Sequence, residues 1–190
     1  MVRVSGLAKA FGETRVLAGL SLDIPDGATT VLMGPSGVGK TTLAHILLGL
    51  VPADSGTVAG LAGRRLAAVF QEDRLCEQLT AVGNVRLVLH GKAEAAVVRG
   101  ELAAVGLGDD DVGKPVSQLS GGQRRRVAIV RALLADADFV CLDEPFKGLD
   151  EATKDRVIDY VRDRTRGRTV LLITHDPVEA EKVGGRIVGL

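Results

Sequence analysis

The chain has 190 residues, of which 24 are Lys or Arg and 24 are Asp or Glu, so its formal net charge at neutral pH is zero. A dedicated nucleic-acid-binding protein usually carries a basic excess, and the balanced charge argues against that class. Hydrophobic residues make up 46% of the chain and aromatic residues only 3%, so aliphatic side chains must form the core. The length suits one domain, or a core with a small subdomain.

The cysteines and the hydropathy pattern indicate a cytoplasmic protein. Cys76 and Cys141 are far apart and neither has a further Cys or a His nearby to form a metal-binding group with it, so we expect free or buried thiols in a reducing compartment. The first residues, MVRVSGLAKAF, contain no apolar leader segment. No run approaches the roughly 18 apolar residues of a membrane helix. Attachment to a membrane protein remains compatible with these features.

The N-terminal part of the chain predicts a small antiparallel sheet. Short strand-like pieces, VRVSGL and LSLDI within residues 2–24 and GTVAG at 56–60, are separated by turn residues. They do not fit a plain alternation of strands and helices. We therefore expect them to form a flank beside the main sheet.

Residues 29–42 predict a strand followed by a phosphate-binding loop. TTVLM at 29–33 is a continuous apolar run, typical of a strand covered on both faces of a mostly parallel sheet. GPSGVGKTT at 34–42 matches G-x-x-x-x-G-K-[ST], whose backbone N–H groups and following helix N-terminus bind phosphate oxygens. In such a site Lys40 pairs with the β- and γ-phosphates and Thr41 holds Mg²⁺.

The sequence around this loop supports a nucleoside triphosphate site. A helix is predicted after the loop from an apolar stripe at helical spacing, formed by Leu43, Ile46, Leu47 and Leu50. The alternative is a chance glycine-rich turn. The strand before the loop and the helix after it argue against that alternative, because the motif requires both.

The middle of the chain predicts a helical insertion in the sheet. AAVF at 67–70 is the next buried strand, and residues 73–118 have a helical bias with no clear strand. We interpret the chain as a single domain with a catalytic core at 1–72 and 119–190. The helical subdomain at 73–118 would continue into the next helix to about residue 135.

LSGGQRRR at 119–126 places two adjacent glycines at the start of a predicted helix. The apolar stripe of that helix comprises Val127, Val130, Leu133 and Leu134, and Arg124, Arg125 and Arg131 lie off it. Glycine destabilises regular structure by roughly 0.5–1 kcal/mol relative to alanine. We therefore expect something to approach the backbone closely here, although a simple glycine-rich helix start is the alternative.

Two acidic residues follow a buried strand in the C-terminal part. DFVCL at 138–142 predicts the strand, and Asp143 and Glu144 come directly after it. Ligands of open α/β sheets bind beyond the carboxyl ends of the strands. One carboxylate suits Mg²⁺, and the next can act as a general base toward water. The alternative is that Glu144 only caps or solvates the end of the strand.

The last predicted strand also ends in a candidate functional residue. A helix is predicted from about Glu151 to Arg164, and TVLLIT at 169–174 then leads to His175. A lone histidine is more often a packed or surface residue, but at this strand end we expect it to face the γ-phosphate. The alternation of strands and helices gives an α/β class with a phosphate-loop NTPase core and a mostly parallel sheet.

The motifs together resemble the ATP-binding cassette (ABC) ATPases. GPSGVGKTT, Gln71 in VFQED, LSGGQ, VCLDEP, KGLDE around Asp150 and ITHD with His175 occur in the order and spacing of that family. The resemblance covers essentially the whole chain, and LSGGQ between these motifs is highly specific to the family. It implies ATP hydrolysis by a head-to-tail dimer in which LSGGQ of one copy binds the γ-phosphate held by the other.

The resemblance also implies roles for individual residues. The catalytic set is Glu144, His175, Gln71 and Lys40. The metal ligands are Thr41, Gln71 and Asp143. The nucleotide contacts are Phe11, Gly34, Pro35, Ser36, Gly37, Val38, Gly39, Lys40, Thr41, Thr42, Ser120, Gly121, Gly122, Gln123 and Asp150. Phe11 would stack on adenine, with core packing as its alternative. Gln71 could be an exposed strand-end residue and Asp150 a helix N-cap.

A transporter subunit is the function that the resemblance implies. The segment 71–89 resembles the part of importer-type subunits that receives a membrane permease, and QEDRL is similar to nitrate, sulfonate and taurine-type importers. Leu75, Cys76 and Leu79 are candidates for an exposed apolar groove there, with core packing as the alternative. We expect the subunit on the cytoplasmic face of the membrane, in a system with an extracytoplasmic solute-binding protein. Because the chain ends soon after His175, we expect no regulatory extension.

Three other functions remain as alternatives. An exporter or a mechanical membrane complex would use the same ATPase motifs. A DNA-maintenance ATPase would place long coiled coils between the phosphate loop and LSGGQ, where this chain has only the segment from Leu43 to Gln118. A phosphate-loop kinase would leave LSGGQ unexplained. The cargo and the direction of transport stay open.

Overall fold

The computed structural model of the protein describes residues 1–89 and 94–190. Its strands are β1 Val2–Phe11, β2 Thr14–Ile24, β3 Thr29–Met33, β4 Ser55–Ala59, β5 Leu66–Val69, β6 Phe139–Asp143, β7 Thr169–Ile173 and β8 Arg186–Gly189. Its α-helices are α1 Lys40–Leu47, α2 Ala81–Val88, α3 Ala95–Ala104, α4 Asp109–Val112, α5 Gly121–Leu134, α6 Glu151–Arg164 and α7 Pro177–Val183, with a 3₁₀ turn at Val116–Gln118.

The main sheet has five strands in the order β5-β6-β7-β3-β8, and every neighbouring pair is parallel. The four predicted strands are all present, and the α/β class with a mostly parallel sheet is confirmed. Strand β8 and helix α7 were not predicted, because both are short and β8 is largely exposed. Parallel pairing places the carboxyl ends of all five strands at one edge of the sheet.

A second sheet of three antiparallel strands, in the order β2-β1-β4, forms the predicted flank. Val2 pairs with Ile24 and Val4 with Leu22, and all four side chains are buried. The buried side of this sheet packs on the same hydrophobic cluster as α1. The flank therefore reaches the helix that follows the phosphate-binding loop.

The main sheet is buried on both faces, as its continuous apolar runs predicted. In β7, Val170 and Leu172 belong to one hydrophobic cluster and Leu171 and Ile173 to another. This division follows the alternation of side chains across a strand. Burying each such side chain stabilises the fold by roughly 1.5–3 kcal/mol relative to exposure. The strands are thereby fixed as a rigid support for the loops at their ends.

The helical segment between β5 and α5 packs on one face of the sheet. Residues of α2, α3 and α4 share a hydrophobic cluster with α5 and with β6 and β7. Asn84 of α2 is fully buried, and its side chain accepts a hydrogen bond from the Cys76 amide at 2.8 Å and donates to the Cys76 carbonyl at 3.0 Å. Part of the predicted helical segment, residues 90–93, lies outside the described residues.

The structure gives the environment of both cysteines. Cys141 in β6 is buried, which raises the pKa of its thiol, and Cys76 is exposed; both are free thiols. Within residues 1–89 and 94–190, no helix has the length and apolar character required to cross a bilayer.

Candidate nucleotide site

The carboxyl edge of the main sheet brings together residues that are far apart in the sequence. The phosphate-binding loop follows β3, Gln71 follows β5, Glu144 follows β6 and His175 follows β7. A cavity of about 340 Å³ at this edge is lined by Val16, Ser36, Gly37, Gly39, Lys40, Thr41, Thr42, Gln71, Glu144 and Lys147. The predicted loop, glutamine and glutamate therefore face one cavity.

The loop enters α1 through a glycine that no other residue could replace without strain. Gly39 is the N-cap of α1 and has a φ of 104°. A Cβ atom there would lie 2.6 Å from Leu17 Cδ2 and 2.8 Å from the Val16 carbonyl oxygen. No side chain of residues 1–89 or 94–190 caps α1, so the N–H groups of its first turn are free for phosphate oxygens.

The side chain of Lys40 lies under this loop. Its ammonium donates hydrogen bonds to the carbonyl oxygens of Gly34 at 2.7 Å and Pro35 at 2.8 Å, and the residue is only 6% exposed. An ammonium has three donors, so one remains for a phosphate oxygen. Gly34, Pro35 and Val38 lie in the loop but do not line the cavity.

Gln71 and Thr41 line the cavity, and the buried Asp143 contacts Thr41 without lining the cavity itself. Gln71 Nε2 donates to Thr41 Oγ1 at 3.1 Å. Asp143 is 2% exposed, and its Oδ1 atom has no hydrogen-bond partner among the described residues. Burial raises the pKa of Asp143, and a hydrogen bond with Thr41 opposes that shift. A buried carboxylate oxygen beside a hydroxyl and an amide is a donor set that Mg²⁺ accepts.

This donor set fits a cation that is held partly by the nucleotide. In the described part of the chain, no group of three His, Cys, Asp or Glu side chains could hold a metal ion alone. Mg²⁺ usually keeps one or two protein ligands and takes the others from phosphates and water. The residues predicted as metal ligands therefore fit Mg²⁺ bound together with a phosphate.

Glu144 has a strained backbone and a paired side chain. Its φ is 47°, uncommon for a residue other than glycine, and its amide donates to the Ile173 carbonyl at 2.9 Å. Its Oε1 lies 3.2 Å from His175 Nδ1, because the adjacent strands β6 and β7 end side by side. Strain of this kind costs roughly 1–3 kcal/mol and persists mostly at functional sites.

The LSGGQ segment forms a capped helix start away from the cavity. Ser120 is the N-cap of α5; its Oγ accepts from the Gln123 amide at 3.2 Å, and Gln123 Oε1 accepts from the Ser120 amide at 2.8 Å. The Ser120 hydroxyl proton and the first-turn N–H groups of Gly121 and Gly122 remain available as donors. None of these residues lines the phosphate cavity of the same chain.

Arg125 connects α5 to the segment that carries Gln71. The sequence placed this arginine off the apolar stripe, yet it is only 6% exposed. Its guanidinium donates to the carbonyl oxygens of Phe70 and Gln71, and its Nε lies 3.3 Å from Asp73 Oδ1. Burial raises the pKa of Asp73, and Arg125 opposes that shift. The buried guanidinium group of Arg125 thus holds residues 70–73 in place against α5.

Two further predicted nucleotide contacts lie outside the cavity. Phe11 is 52% exposed at the end of β1, with the Lys9 ammonium 5.3 Å from the centre of its ring, so the alternative of core packing is wrong. Asp150 is the N-cap of α6 and accepts from the Thr153 amide at 3.0 Å, which lowers the pKa of its carboxyl. Both side chains reach solvent and are open to a ligand.

The proposed groove residues have different environments. Leu75 is partly buried and packs on the main hydrophobic cluster, as the alternative of core packing predicted. Cys76 is exposed and Leu79 is 38% exposed. Of the two leucines, Leu79 therefore contributes exposed apolar surface and Leu75 contributes mainly to the core.

The sequence missed two residues that line the cavity. Val16 belongs to β2 of the flank, and only tertiary packing brings that strand against Gly39. Lys147 follows Glu144 by three residues, and its Nζ lies 3.5 Å from Glu144 Oε2. Lys147 could have been recognised from the sequence, because it is a cationic residue only three positions after the candidate general base Glu144.

Comparisons with known proteins agree with this geometry. A family model described as "ABC transporter" matches residues 17–147. Among curated relatives, the aliphatic sulfonates import ATP-binding protein SsuB 3 of Rhodococcus jostii is 42% identical, with 98% of this chain and 70% of the relative covered. SsuB 1 of Frankia alni is 43% identical, with 100% and 70% covered.

The chain belongs to the ABC transporter family.

Solved structures of that family have the same fold. The dimeric structure of MJ0796, described as a bacterial ABC transporter cassette, aligns with a TM-score of 0.87 at 29% identity and covers 100% of this chain and 94% of that chain. A dimeric post-hydrolysis state of the same cassette, bound to ADP and Pi, aligns with a TM-score of 0.88 at 28% identity. The family recognised from LSGGQ and its neighbouring motifs, and the likeness to sulfonate importers, are confirmed.

Proposed function

We propose that the chain is the ATP-hydrolysing subunit that energises an ABC importer, with organic sulfonates as the class of solute. The observation that carries the ATPase function is the cavity at the carboxyl edge, where the phosphate-binding loop, Gln71 and Glu144 lie together. The import function is supported by relatives about 42% identical that are named as sulfonate import ATP-binding proteins.

Within this proposal the loop binds and orients the triphosphate. The free N–H groups of α1 and the third donor of Lys40 bind the β- and γ-phosphates. Glu144 orients the attacking water and accepts its proton, and His175 positions the Glu144 carboxylate and contacts the γ-phosphate. Most of the rate enhancement then comes from positioning and from fixed dipoles that stabilise the transferring group.

Mg²⁺ is proposed as the partner of the triphosphate in this site. Thr41, Gln71 and Asp143 would hold it, and it would neutralise charge on the phosphate oxygens when bound. The buried Oδ1 atom of Asp143, which has no hydrogen-bond partner in the part of the chain that the structure describes, supports this assignment.

A second copy of the chain is proposed to complete each site. Ser120, Gly121 and Gly122 carry free donors at a helix start, yet they do not line their own chain's cavity. A head-to-tail dimer would bring these donors to the γ-phosphate of the other copy, where the N-terminal end of α5 favours negative charge. The dimeric form of the similar MJ0796 cassette supports this arrangement.

Membrane subunits are the other proposed partners. The chain would divide into a catalytic core at 1–72 and 119–190 and a helical subdomain at 73–118, and a permease would bind near residues 71–89. Leu79 and Leu87 are exposed apolar side chains of that segment. The subunit would then lie at the cytoplasmic face of the membrane, and an extracytoplasmic solute-binding protein would deliver the solute.

The ATPase proposal predicts that Lys40→Met lowers ATP hydrolysis by about 100- to 1000-fold, because a preorganised donor to the phosphate is lost. Methionine keeps the apolar part of the side chain, and Lys182→Met, at an exposed lysine paired with Asp155, serves as the control. Phosphate release by the purified chain is the measurement, with thermal unfolding to verify folding. Equal rates in Lys40→Met and the wild type would contradict the proposal.

The transport proposal is tested with the subunit in its membrane complex. We expect the chain to co-purify with a many-spanning permease and to support ATP-dependent uptake of a radiolabelled alkanesulfonate into proteoliposomes that carry the solute-binding protein. Outward movement of the solute, or stable association with a membrane complex that moves no solute, would refute the import function and leave the ATPase proposal standing.

A further inference from the structure

Lys147 is a second lysine of the phosphate cavity that the proposed mechanism leaves unused. It follows β6 in the loop that leads to α6, and it lines the same cavity as Ser36, Gly37 and Lys40. Its backbone amide donates to the Glu144 carbonyl at 3.3 Å. This turn fixes the start of the Lys147 side chain beside the proposed general base.

The two lysines of the cavity differ in how firmly they are held. Lys40 is 6% exposed and bonded to two carbonyl oxygens of the loop. The Lys147 side chain is 63% exposed, and among the described residues its ammonium forms one ion pair, at 3.5 Å from Glu144 Oε2. Because the Lys147 ammonium is exposed to solvent and the pair is long, this contact is readily exchanged for one with another anion. Lys147 is therefore free to move to a phosphate without disturbing the fold.

The charges of the cavity indicate where Lys147 would move. A terminal phosphate carries close to two negative charges near neutral pH, and Glu144 adds a carboxylate to the lining of the same cavity. These like charges repel each other when the terminal phosphate stands within reach of the general base. A cation already beside the Glu144 carboxylate can contact both groups and offset that repulsion.

We propose that Lys147 is a ligand of the terminal phosphate of the bound triphosphate, and that it moves there from Glu144 when the nucleotide binds. This inference rests on the proposed ATPase function. Because ADP lacks the phosphate that faces Glu144, Lys147 contributes to the affinity for the triphosphate and not to that for the diphosphate. It thereby helps the site to distinguish ATP from ADP.

The test compares the affinities of a non-hydrolysable ATP analogue and of ADP by calorimetry. In Lys147→Ala we expect the analogue to bind about 10- to 100-fold more weakly, the effect of losing a hydrogen bond between charged groups, while ADP binds within twofold of the wild type. Lys147→Arg should restore most of the analogue affinity. Lys114→Ala, at an exposed lysine paired with Asp111 three residues away, should change neither.

The outcomes separate this inference from the function on which it rests. Equal weakening of both nucleotides in Lys147→Ala, or no weakening of either, would overturn the role of Lys147 alone. A higher kcat with unchanged affinity for the analogue would also overturn it, because Lys147 would then only restrain Glu144. Failure of the wild type to bind either nucleotide would overturn both the ATPase function and this inference.

Discussion

Glu144→Gln is expected to lower ATP hydrolysis by about 1000-fold while ATP still binds. General base catalysis contributes about 10²- to 10⁴-fold to a rate, and an amide cannot accept the proton of the attacking water. Glutamine has the shape of glutamate and can keep the contact with His175 Nδ1, which lies 3.2 Å from Glu144 Oε1. The loss should therefore affect the chemical step and not the binding step.

Single-turnover hydrolysis and ATP affinity, measured on the same preparation, test this expectation. Because the triphosphate persists in the variant, we also expect an ATP-dependent dimer in gel filtration. Glu151→Gln, at an exposed glutamate in the first turn of α6, is the matched control and should hydrolyse ATP at the wild-type rate. An undiminished rate in Glu144→Gln would show that another group activates the water.

Gly121→Val is expected to abolish ATP-dependent dimers and to lower hydrolysis by about 100- to 1000-fold, although the fold is unaffected. Gly121 is exposed at the start of α5, and a Cβ atom there would meet no other atom of the described residues within 4 Å beyond its chain neighbours and the helix backbone. Valine has a somewhat higher helix propensity than glycine. The substitution should therefore weaken only the contact between the two copies. The added methyl groups would occupy the space that the γ-phosphate bound to the other copy needs.

The matched control is Gly100→Val, at a glycine of α3 with equally open surroundings. Both variants should unfold at the temperature of the wild type, and only Gly121→Val should lose the dimer in light scattering with ATP. Normal hydrolysis by Gly121→Val would refute the shared site. If the dimer is lost, this variant also provides a monomeric background in which the Lys147 affinities can be measured.

The sequence predicted closely the strands and helices that flank the candidate functional loops. The bounds of β3 at 29–33 and of the helix from Glu151 to Arg164 coincide with those predicted. A continuous apolar run and a helical stripe are local patterns, and the glycine, lysine and acidic residues at their ends follow from the needs of phosphate binding. The antiparallel flank was equally visible, because turn residues separate its strands.

The features that the sequence did not predict all depend on contacts between segments far apart in the chain. Arg125 looked like a surface residue of α5, and its burial depends on the carbonyl groups of residues 70 and 71, more than fifty positions earlier. Strand β8 is short, and its place beside β3 follows from a parallel pairing that no local pattern encodes. Val16 reaches the cavity only because the flank packs against α1.

By itself the sequence determined the fold class, the family and which residues are candidates for binding phosphate, because these properties are carried by residue type and short-range spacing. The tertiary structure decided which of those residues share a cavity. It placed Glu144 between His175 and Lys147, and it left Ser120 to Gly122 outside that cavity. Such distances depend on the order of strands in the sheet, which arises from packing among segments far apart in the chain.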